Sequence, residues 1–142
     1  MKQVRTLVDT NVLIYMFSPE DETKRLAAIS VIRGLGAHMV ISTQVLVEFY
    51  AVATRKLHMD PHTVRKIIHD LSEGEVLPTS SALIVDAIDL SIVTGYSIWD
   101  STILQAAIAS RCIRILTEDL NPGQTIKGVR IENPFLSMNS EG

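Results

Sequence analysis

The sequence predicts an α/β fold in which a mostly parallel sheet is covered by helices on both faces. Short apolar runs alternate with longer segments of helical period along the whole chain. One run, "CIRILT" at 112–117, is apolar enough to read as a strand buried on both sides. Cap and turn residues punctuate the segments where helices should begin and end.

Taken in order, "VRTLV" at 4–8 is a short strand and "VLIYMF" at 12–17 a helical turn or two ending before Pro19. The acid-led stretch "SPEDE" opens a helix over 21–34 that Gly34 and Gly36 stop. "HMVIS" at 38–42 is a strand, after which Ser42 or Thr43 caps a helix running to Leu57. Asp60 caps and Pro61 begins the helix in "DPHTVRKIIHDLSE". "EVLP" is a strand, followed by helices over 80–95, ending at Gly95, and over 98–110. A final strand lies in "GVRIE", and the last seven residues, "LSMNSEG", read as a flexible tail.

A chain of 142 residues is the size of one domain, expected here over residues 1–135 with the tail at 136–142. Its 46% hydrophobic and 20% charged residues are those of a folded globular chain. No apolar stretch reaches the ~20 residues that cross a bilayer, and the N-terminus lacks a signal-peptide pattern. A single cysteine excludes an intrachain disulfide framework and points to the cytoplasm. Cys112 itself reads as a small buried side chain. The net charge of -3 argues against a nucleic-acid partner unless the acids are concentrated at one metal site.

Four carboxylates occupy positions that demand a reason. Asp9 directly follows the first strand, at the edge where open sheets bind ligands, although a helix cap would also explain it. Glu48 lies about 60 degrees around its helix from apolar Val45, so it borders the buried face. Asp100 heads an apolar stripe of Ile103, Leu104 and Ala107, where a carboxylate must be capped, paired or bound. Asp119 follows the most strand-like run, with Glu118 beside it and a turn role available ahead of "NPG". Four acids on one edge would repel one another and raise each other's pKa unless a cation neutralised them. Hard oxygen donors suit Mg2+ or Mn2+, and such a site serves phosphodiester hydrolysis.

The segments "LVDTNVLIY", "ISTQVLVEF", "SIWDSTILQAA" and "ILTEDLNPGQTIKGVRIENPF" together resemble the PIN-domain family, including the VapC-like toxin ribonucleases of VapBC toxin-antitoxin systems. The resemblance spans residues 4 to 135. It implies a three-layer α/β/α sandwich and four site acids at Asp9, Glu48, Asp100 and Asp119, favouring Asp119 over Glu118. It further implies that Asp9 and Asp100 hold the metal directly, with Glu48 and Asp119 binding a second ion or ordering water. Asn11, Ser42 and Thr117 match positions that support the acids or contact phosphate. The implied reaction is hydrolysis of single-stranded RNA by in-line attack of water, leaving a 5'-phosphate and a 3'-hydroxyl. A small antitoxin protein and a homodimer are the implied partners. Asn11 is expected to serve the helix after Asp9.

Without the four site acids, 13 basic residues face 12 acids and the net charge is +1, so RNA is an acceptable partner. Lys24, Arg25, Arg55, Lys56, Arg65 and Lys66 are candidate phosphate contacts, each also readable as solvated helix surface. Aromatics form 5% of the chain with no interleaved stacking pattern, and Trp99 reads as packing. His58 and His62 straddle a helix start and make a poor zinc pair. Met16, Met39 and Met59 read as core or groove fillers, and Asp86 and Asp89, on a helix with Ile84, Ile88 and Ile92, as solvent-facing or paired. Core burial is the default reading of Tyr15, Phe17, Phe49 and Tyr50, with an apolar dimer surface as the alternative. Two other readings compete: a non-catalytic RNA-binding or protein-interaction module, and a phosphotransferase with Asp9 as nucleophile. The latter chemistry wants a second aspartate where this chain has Asn11.

Overall fold

The computed structural model describes residues 3–136, so the expected tail from residue 137 onward lies outside the described residues. The strands are β1 (Thr6–Val8), β2 (Met39–Ser42), β3 (Glu75–Leu77), β4 (Arg114–Leu116), β5 (Thr125–Ile126) and β6 (Val129–Glu132). They form one sheet in the order β3-β2-β1-β4-β6-β5, with β5 alone antiparallel to its neighbour. The helices are α1 (Thr10–Tyr15), α2 (Glu22–Leu35), α3 (Thr43–Arg55), α4 (Pro61–Ser72), α5 (Ser81–Thr94) and α6 (Ile98–Ala109).

Side chains alternate across a strand, and here the alternation builds two cores. Leu7, Val40 and Ile115 face one way and pack with Leu83, Leu90, Leu104 and Ala107 of α5 and α6. Their chain neighbours Val8, Ile41 and Leu116 face the other way and pack with Val12, Ala28, Phe49 and Val64 of α1 to α4. The three-layer α/β/α sandwich follows directly. Phe49 is fully buried and meets Phe17 edge to face, ring centroids 5.8 Å apart. Phe49→Ala should therefore lower stability by about 3–5 kcal/mol. A urea titration giving a loss under about 1 kcal/mol would contradict that packing.

The helix starts follow local chemistry. Ser42, Asp60, Ser80 and Ser97 each sit in extended backbone and accept from a backbone N–H three residues on. Gly95 ends α5 at φ 80°, in the left-handed region where a glycine carries no Cβ penalty.

Several boundaries differ from expectation. β1 and β4 are shorter than the apolar runs that contain them, because sheet pairing and not hydrophobicity sets their ends. Gly34 lies inside α2, and Gly36 at φ 51° ends the helix by leading into a 3-10 turn over Gly36–His38. α1 begins at Thr10, two residues earlier than its apolar run. β5 was not foreseen; it is two residues long and returns through Lys127 and Gly128, both at positive φ.

Among the proposed dimer aromatics, Phe49 belongs to the core and Tyr15 and Phe17 are half-buried, which leaves Tyr50 exposed. Asp86 and Asp89 are exposed as expected, but so are Ile84, Ile88 and Ile92 on the same helix. α5 meets the core through Leu83, Ala87 and Leu90 instead.

Candidate functional site

The strand order reverses between β1 and β4, since the chain runs β1-β2-β3 to one side and returns to place β4 on the other. Crevices form at the carboxyl ends of strands at such a point. Asp9 and Thr117 emerge there, and the ladder continues past the strands to fix both. The Asp9 N–H donates to the Leu116 carbonyl at 3.0 Å, and the Thr117 N–H to the Glu132 carbonyl at 3.0 Å. The Thr117 hydroxyl then donates to Asp9 Oδ2 at 2.7 Å.

Asp9 is 4% exposed and is the N-cap of α1, its Oδ1 accepting from the Thr10 N–H at 2.7 Å. This corrects the expectation that Asn11 would serve that helix. A six-residue helix entered straight from a strand offers its first free N–H to the residue at the strand end, and that residue is Asp9. Asn11 instead donates from Nδ2 to Asp119 Oδ2 at 2.9 Å and accepts the Glu118 N–H at 3.4 Å. It ties α1 to the loop after β4. Capping does not remove Asp9 from the crevice, because its carboxylate still lines the cavity.

That cavity, about 850 Å³, is lined by Asp9, Glu48, Asp100 and Asp119, together with Glu20, Asp21 and Glu118. Each of the four expected acids comes from a different element or loop: the end of β1, α3, α6 and the loop after β4. Burial lifts the Asp9 carboxyl from 3.8 to about 7, against the Thr117 and Thr10 hydrogen bonds and with the charges of Asp119 and Glu48 adding to it. Glu48 is raised by burial and by Asp100 and Asp119, while Gln44 Nε2, donating to its Oε1 at 2.8 Å, opposes the shift. Asp100 is raised by burial and by Asp119, opposed by Ser97, whose hydroxyl also caps α6 by accepting the Asp100 N–H at 3.1 Å. The acids therefore feel one another across the cavity. A field of this sign favours protons or cations.

The other expected residues are placed unevenly. Ser42 is buried at the end of β2 and spends its hydroxyl on the α3 N-terminus, accepting from Val45 N–H at 3.3 Å. It does not line the cavity. Thr117 supports Asp9 and accepts the Asp119 N–H at 3.1 Å, which also sets the loop. Glu118 is bound by Tyr15 Oη at 2.8 Å and by Lys24 Nζ at 3.0 Å, with Lys24 above the Tyr15 and Phe135 rings. Lys24 is thus held by protein groups, and Arg25 by Glu22. Lys56 lines the cavity, whereas Arg65 lines a separate groove with Tyr50 and His62. His58 belongs to the cavity and His62 to that groove. Trp99, expected to pack, is 72% exposed and lines the cavity. Its place at the second position of α6, next to Asp100, was the available signal.

Among the described residues, no three His, Cys, Asp or Glu side chains gather closely enough to hold one metal ion as they stand. The donor set nevertheless fits a hard divalent cation. It consists of carboxylate oxygens, and Asp9, Glu48 and Asp100 carry pKa values raised partly by their neighbours' negative charge. No single helix among the described residues is long and apolar enough to cross a membrane.

A comparison with curated protein sequences finds no match. Solved structures with similar folds include a toxin-antitoxin complex from Klebsiella pneumoniae, 22% identical, covering 87% of this chain and 94% of that one at a TM-score of 0.68. DNA-bound VapBC from Salmonella typhimurium is 22% identical, covering 93% and 99% at a TM-score of 0.65. VapC20 of Mycobacterium tuberculosis, described as a sarcin-ricin loop cleaving toxin, is 15% identical, covering 78% and 86% at a TM-score of 0.64. At these identities the likeness is one of fold. The family model of the PIN domain matches residues 6–125. That match spans most of the chain and takes in Asp9, Glu48, Asp100 and Asp119, so the chain belongs to the PIN domain family.

Proposed function

We propose that this protein is a divalent-metal-dependent ribonuclease that hydrolyses phosphodiester bonds of single-stranded RNA, and that it is the toxin of a toxin-antitoxin pair. The observation that carries the reading is one cavity at the strand-order reversal, lined among the described residues by seven carboxylates and, as its only lysine or arginine, Lys56. A polyanion cannot settle among those acids unless cations offset them. PIN nucleases generally use divalent metals, and Asp9, Glu48, Asp100 and Asp119 would hold Mg2+ or Mn2+ here. An ion held there would supply positive charge at the phosphoryl oxygens and would acidify water.

The chain's own part is to fix the donors. Thr117 and Thr10 hold both oxygens of Asp9, Gln44 holds one oxygen of Glu48, and Asn11 holds Asp119. Lys24 and Tyr15 occupy Glu118, which supports Asp119 as the acting acid of that pair. Asp119→Asn should then lower cleavage by at least about tenfold more than Glu118→Gln does. Equal losses, measured as kcat/KM on one RNA, would reverse that assignment. The toxin reading draws on the Klebsiella and Salmonella neighbours, which were solved as toxin-antitoxin and VapBC assemblies. A small antitoxin is the partner this predicts, with a cytoplasmic site of action and a homodimeric toxin.

The test is incubation of mixed RNA with and without manganese, comparing the wild type with Asp9→Asn and Asp100→Asn. Metal-dependent cleavage lost in both variants is the expected result. Cleavage that persists in either variant, or without metal, would refute the mechanism.

A further inference from the structure

Trp99 is a side chain that neither the two cores nor the carboxylates account for. An indole gains much from burial, yet this one is 72% exposed. It lies in the first turn of α6 and lines the acid cavity beside Asp100. Its backbone is fixed: Ser97 caps the helix at that turn, and the Trp99 carbonyl accepts from Gln44 Nε2 at 3.4 Å. The same amide group holds Glu48, so the segment carrying the indole and one of the acids share a support. Val52, Lys56 and His58, from the end of α3 and the turn after it, also line the cavity.

A nucleic acid entering here finds little positive protein charge, since among the described residues Lys56 is the only lysine or arginine in the wall. Beyond what metal ions supply at the phosphates, binding can draw on contacts to the bases. An exposed indole offers a flat apolar face that accepts any base, provided the base is unstacked.

We propose that Trp99 is a substrate-binding residue on which a nucleobase of single-stranded RNA stacks, next to the phosphate presented to the acids. The proposal rests on the ribonuclease reading and names the residue that would impose its single-strand requirement. A base inside a duplex is already stacked and cannot use the platform, so duplex RNA is a poor substrate. Because every base has a π-face, the contact selects for single strands more than for sequence.

Trp99 is the chain's only tryptophan, so its emission reports this position alone. The first measurement titrates the full-length protein in magnesium with a short oligoadenylate, and with a ribose-phosphate chain of the same length that lacks bases. Binding is followed separately by anisotropy of labelled RNA. Emission quenched by oligoadenylate and unchanged by the abasic chain is expected. The second measurement compares Trp99→Ala and Trp99→Phe: alanine should raise KM by about 5- to 100-fold with kcat little changed, and phenylalanine should restore most of the loss. Emission that stays constant while RNA binds and is cut overturns stacking and leaves the nuclease reading standing. Neither binding nor cutting of any RNA overturns both. A Trp99→Ala protein with unchanged KM also overturns the proposal and makes the indole a contact for a protein partner.

Discussion

Asp9→Asn is expected to lower RNA cleavage by at least about a hundredfold while leaving the metal-free protein folded and more stable at neutral pH. The two effects share one cause. Asp9 is buried, and its carboxyl is lifted from 3.8 to about 7. In the unfolded chain that group releases its proton near pH 4, whereas in the fold it keeps the proton until near pH 7. Between those values the native state binds more protons than the unfolded one. Stability from this group is therefore fully present below pH 4 and is lost as the pH rises through 7, a cost on the order of 4 kcal/mol by pH 8. Asparagine carries no charge, so it does not incur that loss. Its carbonyl can keep the Thr10 N–H, and its amide can donate to the Thr117 hydroxyl. Melting temperatures of both proteins in chelator, taken from pH 5 to pH 8, should diverge in favour of Asp9→Asn as the pH rises. A difference that narrows with pH would show that Asp9 does not carry this charge penalty.

The second large effect is that of the metal. Chelation should abolish cleavage, and saturating Mg2+ or Mn2+ should raise the melting temperature at pH 8. At a hundred times the dissociation constant the stabilisation is about 2.7 kcal/mol, near 10 °C for a chain of this length. The shift should shrink at pH 6, where a proton on Asp9 competes with the ion. Glu48 and Asp100 add to the same trend, since both have raised pKa values. Asp100→Asn should reduce the shift as well as the activity. A melting temperature indifferent to either metal, or a larger shift at pH 6, would argue against a carboxylate site for the ion.

The parts of this molecule legible in its sequence are those where period and chemistry coincide. "HMVIS" and "GVRIE" became β2 and β6, and Ser42, Asp60 and Gly95 end or begin helices as expected. The four acids share a cavity because each follows a strand or borders a buried helix face, which sequence pattern can show. Features that depend on pairing between distant segments were hidden. β5 is two residues long and exists only by pairing with β6. Asn11 looked like a cap because its partners, Asp119 and the Glu118 N–H, lie over a hundred positions away. Trp99 looked like packing because hydrophobicity does not say whether a face is covered.

The bond from Thr117 to Asp9 spans 108 positions, and it joins the two strands at the centre of the sheet. During synthesis β1 emerges first and has only β2 and β3 to one side of it until β4 is made. Translation proceeds at about 5–20 residues per second, so Asp9 waits several seconds for Thr117 and Asp119. Until Asp119 is made, a growing chain carries only three of the four acids. The acid cluster is thus completed by long-range pairing of β1 with β4, after β2 and β3 have been made.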